Sequence, residues 1–581
     1  YDVDDRKFYN GLGGAFQIGF SQIVANTALE FTGCTFESNT ADSDGGALAI
    51  QTTEDCTIKH CLFKKNIAGA GNYDEAFNYG GAIFIEPDFK NDLAETTLKP
   101  TSTIENCTFE SNMAVNNAHA ISLTGDDAKI EINNATFIDN GDNSGSTLYS
   151  ICPRLTFEKV KFIRTNDEAP STRAIEINAM AEITLDDALF DSCKVIDRDG
   201  GAILLSNSRP STANIDPKAI EKQEYSITNC KFVNCQARNG GSIFISEGVS
   251  SVSILHTEFK GGSVDSEGVA IYISSQVDEF RVDSSVKFVE QNDNGKFLIS
   301  SYCSKFDISD LEIQNGQFGS GIKGIKLNAG TVTINNVFFN KCTSAFEITT
   351  NVQQATINNC IFSDCYCGNQ DGKQGSGQVV LVENTQCTFS NNILNFSNNI
   401  NAITGIYFRS HGLITIENNK FINMRSSGSL QSTLCIDESR GSSLNDAIFR
   451  FNNNLIQNTA KDGQFPFFYL NKRQKFIIDH NIFKDCKSEG YSISIDVQNN
   501  ANLGKSLVLT NLTFENCESI SITGGSTGLW LLFTNKEGSL TLRGCSFIRD
   551  KATIKNLNEG GNGGGFGIGR ASINKMIITI D

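Results

Sequence analysis

One pattern recurs from the first residues of the chain to the last, and it restricts the fold to a narrow set. In Thr103–Leu123, TIENCTFESNMAVNNAHAISL, Ile104 is apolar, Asn106 interrupts, Cys107 and Phe109 lie two apart, Asn112 interrupts again, and Ile121 and Leu123 form a third alternating pair. Alternation with period two, broken by corner residues, predicts three short strands per repeat. Aligned on the Phe, the pattern falls at Phe36, Phe63, Phe109, Phe137, Phe162, Phe190, Phe232, Phe259, Phe288, Ile313, Phe339, Phe362, Phe389, Phe421, Phe449, Phe483, Phe514 and Phe547. Most steps are roughly 23 to 34 residues, the period range of solenoids. The spacing therefore predicts a single continuous stack over residues 1–581, with polar insertions near 86–101 and 207–224 where two steps are longer.

The position five before the Phe is apolar, as at Ile58, Ile104, Ile132, Ile227, Ile254, Ile334, Ile357, Ile416, Ile478 and Leu542, so one strand points the same residue type inward on each coil. Three before the Phe stand Asn106, Asn134, Asn229, Asn336, Asn359, Asn418 and Asn511, Gly33 and Gly544, and His60, His256 and His480. Those residue types accept positive φ most readily, which makes this a first corner and gives three of the five histidines a structural role. Three after the Phe, a second corner holds either Asn (Asn39, Asn66, Asn112, Asn140, Asn392, Asn452) or Cys (Cys193, Cys235, Cys342, Cys365, Cys486, Cys517). Stacked coils would align the Asn side chains into an amide ladder that satisfies buried polar groups.

The second-corner cysteines fall in consecutive repeats, which makes Cys193–Cys235, Cys342–Cys365 and Cys486–Cys517 candidate disulfides, since adjacent coils allow the Cα separation of a bridge. A second register, two before the Phe, holds Cys34, Cys61, Cys107, Cys230, Cys360, Cys387 and Cys545. In-register side chains on parallel strands do not point at one another, so these are expected to be stacked buried thiols. Cys365 and Cys367 form only CxC with no matching partner motif, so no metal site is expected.

A formal net charge of -18 and a pI near 4.9 exclude a phosphate-tracking surface, so nucleic acid is not an expected partner. No apolar run is long enough for a transmembrane helix. The first residues, YDVDDRKFYN, are polar and acidic; either a signal peptide has been removed or the sequence starts downstream of one. Gly13–Ile18 and Ile578–Asp581 place both ends within a repeat, as expected of a piece of a longer polypeptide or of a filament subunit whose copies complete one another's coils.

CTFESNTADSDGGALAI at Cys34–Ile50 and CLFKKNIAGAGNYDEAFNYGGAIFI at Cys61–Ile85 resemble the FxxN and GGAI motifs of the polymorphic outer-membrane protein family, whose repeats also resemble those of secreted or surface proteins of protists. From Phe162 onward FxxN is often FxxC. The resemblance implies an all-β, right-handed parallel β-helix of roughly 18 coils with three short strands each, exposed at a cell surface. It carries over no catalytic residues, and the alternating segments of a C-terminal membrane barrel are not evident.

Catalytic constellations are also not recognised from the residues themselves. Asp126 with Asp127 and Asp186 with Asp187 are adjacent, and adjacent strand residues point to opposite faces. His411 reads as a turn residue, His119 as a corner residue, and Trp530 in GLWLLF as inward packing. No cofactor is expected. Sequons at Asn106, Asn134, Asn395 and Asn511 are candidate glycosylation sites if the chain is secreted. These features point to a secreted or cell-surface, non-enzymatic structural or adhesive protein that associates with itself, other surface proteins or glycans. A polysaccharide-binding or polysaccharide-degrading β-helix is the alternative, and convergence of acids and bases from different coils in a groove would mark it.

Overall fold

The computed structural model describes residues 13–18, 28–52, 55–70, 79–87, 101–115, 117–124, 129–142, 145–178, 182–206, 224–246, 249–274, 277–283, 285–289, 296–314, 323–328, 330–342, 344–349, 351–365, 379–383, 386–396, 406–409, 412–427, 434–437, 448–462, 468–471, 475–488, 493–497, 506–521, 529–533, 537–554, 566–570 and 575–580. Outside these lie Tyr1–Leu12, Asp126, Asp127, His411, Cys367, Asp581 and the interiors of both expected insertions, 88–100 and 207–223; the side chain of Trp530 is likewise outside. The chain divides into two compact units, residues 1–304 and 305–581, and each is a right-handed parallel β-helix.

Each coil follows one course. In the first unit Thr101–Glu105 belongs to a first sheet, Thr108–Glu110 to a second, and Ile121–Leu123 to a third; the pair Met113–Ala114 adds a short ribbon between the second and third. Every pairing is parallel and in register, so Ile104 lies between Ile58 and Ile132, and Phe109 between Phe63 and Phe137. The inward Phe of the second sheet form a column from Phe36 to Phe288, with rings as close as 4.5 Å and 4° from parallel at Phe137–Phe162. Register alone imposes this geometry, because identical residues on neighbouring strands present identical rotamers to one another.

The first corner is confirmed at every expected position. Asn106, Asn134, Asn229, Asn336, Asn359, Asn418, Asn511, His60, His256, His480, Gly33 and Gly544 all have positive φ, between 48° and 66°. The second corner has the same construction displaced by five residues. Its left-handed residue is two after the Phe (Ser38, Lys65, Ser111, Asp139), and the Asn or Cys that follows turns inward. Both corners thus consist of one left-handed residue and one buried side chain.

The second unit departs from the expected alignment at two coils. Phe389 pairs with Ile357 in the first sheet and Phe449 with Ile414, while Leu394 and Ile456 occupy the phenylalanine column. Asn392 is therefore a first-corner residue, and Asn452 ends a first-sheet strand. An aromatic residue earlier in the same apolar stripe, five places for Phe389 and seven for Phe449, disguises the register, because both positions face the core.

The GGAI motif also has a packing cause. Gly80 adopts φ 71°, and a Cβ on Gly81 would lie 2.5 Å from the backbone oxygen of Met113 and 2.0 Å from that of His119. The second glycine is needed where the short ribbon of the next coil runs beneath it. His119 follows Gly81 in this column, where this three-stranded run of ribbon ends with the pairing of Ile67–Ala68 and Met113–Ala114. It is not itself the corner residue: Ala118 takes the positive φ, and the buried His119 ring accepts the Ala114 N–H at Nδ1 (3.1 Å) and places Nε2 3.4 Å from Asp142.

Candidate functional site

The polar residues that dominate the sequence form two interior ladders. In the first unit Asn39, Asn66, Asn112 and Asn140 stack at the second corner. Asn112 Oδ1 accepts the backbone N–H of Asn66 (3.0 Å) and its Nδ2 (2.9 Å), while Asn112 Nδ2 donates to Phe63 O (3.0 Å) and to Asn140 Oδ1 (2.9 Å). In the second unit Asn392, Asn419, Asn454 and Asn481 repeat the arrangement at the first corner, with Asn419 Nδ2 donating to Phe389 O (2.9 Å) and Asn454 Oδ1 (3.0 Å).

Cysteine takes the corner that Asn leaves. Cys61 Sγ donates to Phe31 O (3.5 Å) and accepts the N–H of Cys34 (3.4 Å), the two functions an Asn performs at the other corner. Cys193, Cys342 and Cys486 direct Sγ to the carbonyls of Phe162, Ile313 and Ile456. The pairs Cys193–Cys235, Cys342–Cys365 and Cys486–Cys517 are neighbours, but all six are free thiols, not the expected disulfides. A parallel in-register stack aims each thiol at the preceding coil's carbonyl, which competes with bridge geometry. Contact with Cys235 and burial push the Cys193 thiol well above its ordinary pKa, and burial pushes Cys56, Cys107, Cys230 and Cys360 up to about 12. The raised thiols are packing groups, whereas contact with Cys517 draws the Cys486 thiol below its ordinary pKa although it is buried.

Three sequons occupy exposed or half-buried left-handed corners. Asn134 Nδ2 donates to Asn106 Oδ1 (2.6 Å), and Asn511 Nδ2 donates to Asp479 Oδ1 (3.0 Å). Asn395 instead ends a strand of the second sheet and accepts from Asn423 Nδ2 (2.9 Å); Ser397 of its sequon is outside the described residues.

Acids and bases from different coils do converge beside the third sheet of the first unit. Arg238 grips the Asp199 carboxylate with Nε (3.0 Å) and Nη2 (2.8 Å), and Asn239 Nδ2 reaches the same group (2.9 Å). Arg173, 3% exposed, donates to Gly200 O (3.0 Å) and Asp199 O (2.7 Å) and pairs with Glu176. Each charged group here has a protein partner, so the cluster fastens coils together and presents no reactive group. Asp186 accepts from Asn229 Nδ2 (2.8 Å), and Asp187 is a left-handed corner, so that pair does not form a site either.

Among the described residues of the first unit there is also an open cleft of about 480 Å³. Its floor is Ile67 and Met113, outward residues of the short ribbon; its near rim is Lys65, Ser111 and Asp139; its far wall is Asn166, Glu168, Ala169 and Pro170. That wall is a loop braced from within. Arg164 donates to Ala169 O (3.0 Å) and Asp167 O (2.7 Å), Asn166 Oδ1 caps the N–H groups of Glu168 (2.9 Å) and Ala169 (3.0 Å), and Thr165 is tied through N–H (2.8 Å) and Oγ1 (2.6 Å) to Asp139. The sequence reading passed over this loop. Its signal was Thr165, which stands three after Phe162 where neighbouring coils carry Asn or Cys, followed by NDEAP.

Among the described residues no group of three metal-ligating side chains assembles, and no helix is long and apolar enough to cross a membrane. Comparison with protein-family models, with curated proteins and with solved structures gave no match.

Proposed function

We propose that this protein is a non-enzymatic, extracellular or cell-surface adhesive β-helix that binds a neutral glycan in the Lys65–Pro170 cleft. The braced cleft wall carries the reading. An open cleft with an apolar floor, a hydrogen-bonded wall and side chains bearing one ammonium, one hydroxyl, one amide and carboxylates suits a sugar ring, whose C–H face packs on apolar carbons while its hydroxyls exchange hydrogen bonds with those groups. Its volume falls within the range of small-molecule sites. The sequons at solvent-facing corners favour passage through a secretory pathway, and their threonines Thr108, Thr136 and Thr513 are half-buried beside them.

Binding of the whole protein to an array of immobilised neutral oligosaccharides tests the reading. Lys65→Ala with Glu168→Ala removes two rim groups without touching the ladders, and is expected to lower the affinity for any retained glycan about tenfold. Retention unchanged by both substitutions, or no retained glycan at all, would refute it.

A further inference from the structure

We infer that the second sheet of the second unit carries a self-complementary face onto which a second copy of this chain docks in antiparallel orientation. The relevant column is the outward position just before each inward residue of that sheet. Reading along the coils it runs Glu312, Phe338, Ile361, Ile393, Lys420, each paired in register with the next. Three apolar residues are thus bounded by an exposed acid at one end and an exposed base at the other, with Ile361, 42% exposed, at the centre.

A two-fold axis through Ile361 places Phe338 against Ile393 of the partner subunit and Glu312 against Lys420 of the partner subunit, twice. That is the self-complementarity a closed dimer requires. Because both copies have the same coil repeat, a match at the centre extends to both ends.

The surroundings single out this column. Across its three apolar coils, every outward strand position of the first and second sheets is uncharged: Thr331–Asn335, Gln354–Asn358 and Gln386–Ser390 in the first, Phe338–Asn340, Ile361–Ser363 and Ile393–Asn395 in the second. In the same column of the first unit Leu62 and Leu189 stand singly among Thr108, Thr136, Lys161, Lys231, Glu258 and Lys287, and in the second unit Leu455 and Ile482, which follow Lys420, are not closed by an acid at their far end. In a chain of net charge -18, two copies repel except where the facing surfaces are neutral or oppositely charged. An apolar ridge ending in opposite charges meets both conditions. Phe338, Ile361 and Ile393 offer a sugar no hydrogen bonds, so the ridge suits a second copy better than a glycan.

Sedimentation equilibrium over a wide concentration range, on protein from a host that does not N-glycosylate, tests the inference, because a glycan on Asn395 would stand beside the ridge. The wild-type chain is expected to form a reversible dimer. Ile361→Lys is expected to abolish it, and Glu312→Lys or Lys420→Glu alone to weaken it roughly tenfold by setting like charges opposite each other twice. The double variant Glu312→Lys with Lys420→Glu restores the pairing, a rescue that a folding defect cannot produce; circular dichroism confirms that each variant retains its sheets. A monomer at every concentration, a dimer indifferent to Ile361→Lys, or single charge variants that the double variant fails to rescue would overturn it. Wild-type monomer that cosediments with phosphatidylcholine vesicles through Ile361 would overturn it in favour of a lipid surface.

Discussion

Replacing Asn112 by Ala should be among the most damaging single changes in the first unit, although it removes only a small polar side chain. Asn112 is fully buried, and its carboxamide is engaged on every side. Without it, the backbone N–H of Asn66 and one N–H of the Asn66 amide lose their acceptor, and the Phe63 carbonyl loses its side-chain donor. An orphaned buried polar group costs about 1–3 kcal/mol, and two donors and a weakened acceptor give about 3–5 kcal/mol. Asn39 provides the control. It is half-buried at the end of the ladder, and its side chain makes one bond, Nδ2 to Asn66 Oδ1 at 2.8 Å, so Asn39→Ala should cost less than about 1 kcal/mol. Asn112→Cys should fall between, at about 1–2 kcal/mol, because Cys61 shows a thiol performing both the donor and the acceptor function at the similarly built first corner. Native-state hydrogen exchange of the amides in Leu62–Ala68 is the appropriate assay, since it reads local opening where a solenoid need not unfold in one step. If Asn112→Ala and Asn39→Ala lower the opening free energy equally, the ladder is not what holds these coils.

Further outcomes follow from the same geometry. Gly81→Ala would press a Cβ to 2.0 Å from His119 O, a backbone atom that cannot swing away, and should cost about 3 kcal/mol or more in thermal unfolding measurements. Burial pushes the Asp44 carboxyl up to about 7 from 3.8. The folded state therefore keeps a proton that the unfolded chain releases near pH 4, so this stabilisation is full below about pH 4 and is lost as pH rises through about 7. Asp44→Asn should remove that pH dependence, and equal slopes of stability against pH in the two proteins would count against it. Among the described cysteines, iodoacetamide at mildly alkaline pH should reach half-buried Cys34 well before Cys56, Cys107, Cys230 and Cys360, whose thiols burial holds at about 12; peptide mass mapping decides the order.

The coil, its corners and the first Asn ladder were legible in the sequence because each rests on a local demand that repeats. Positive φ selects Asn, Gly or His at position after position, and in-register pairing turns repeated Phe into a column. The exchange of Asn and Cys between corners was not legible, because Leu394 and Ile456 occupy the Phe column while inward Phe389 and Phe449, five and seven residues earlier, supply the same apolar signal. Disulfides were expected from proximity alone, whereas the orientation of each thiol depends on a carbonyl in another coil. The cleft was hidden for a related reason: nothing in RTNDEAP reveals that Arg164, Thr165 and Asn166 fold back to brace it until Asp139, one coil away, is placed beside Thr165. His119 was misassigned to the corner because its position matches a glycine whose requirement lapses once the ribbon beneath it ends.

Glycan binding by an otherwise structural β-helix is tested most directly by hydrogen–deuterium exchange of the whole protein with and without an oligosaccharide retained on the array. The account predicts added protection confined to peptides covering Lys65–Ile67, Ser111–Met113, Asp139–Gly141 and Arg164–Pro170, which line or brace the cleft. Protection centred instead on Arg173, Asp199 and Arg238 would contradict it, and would move the activity to the paired charges beside the third sheet.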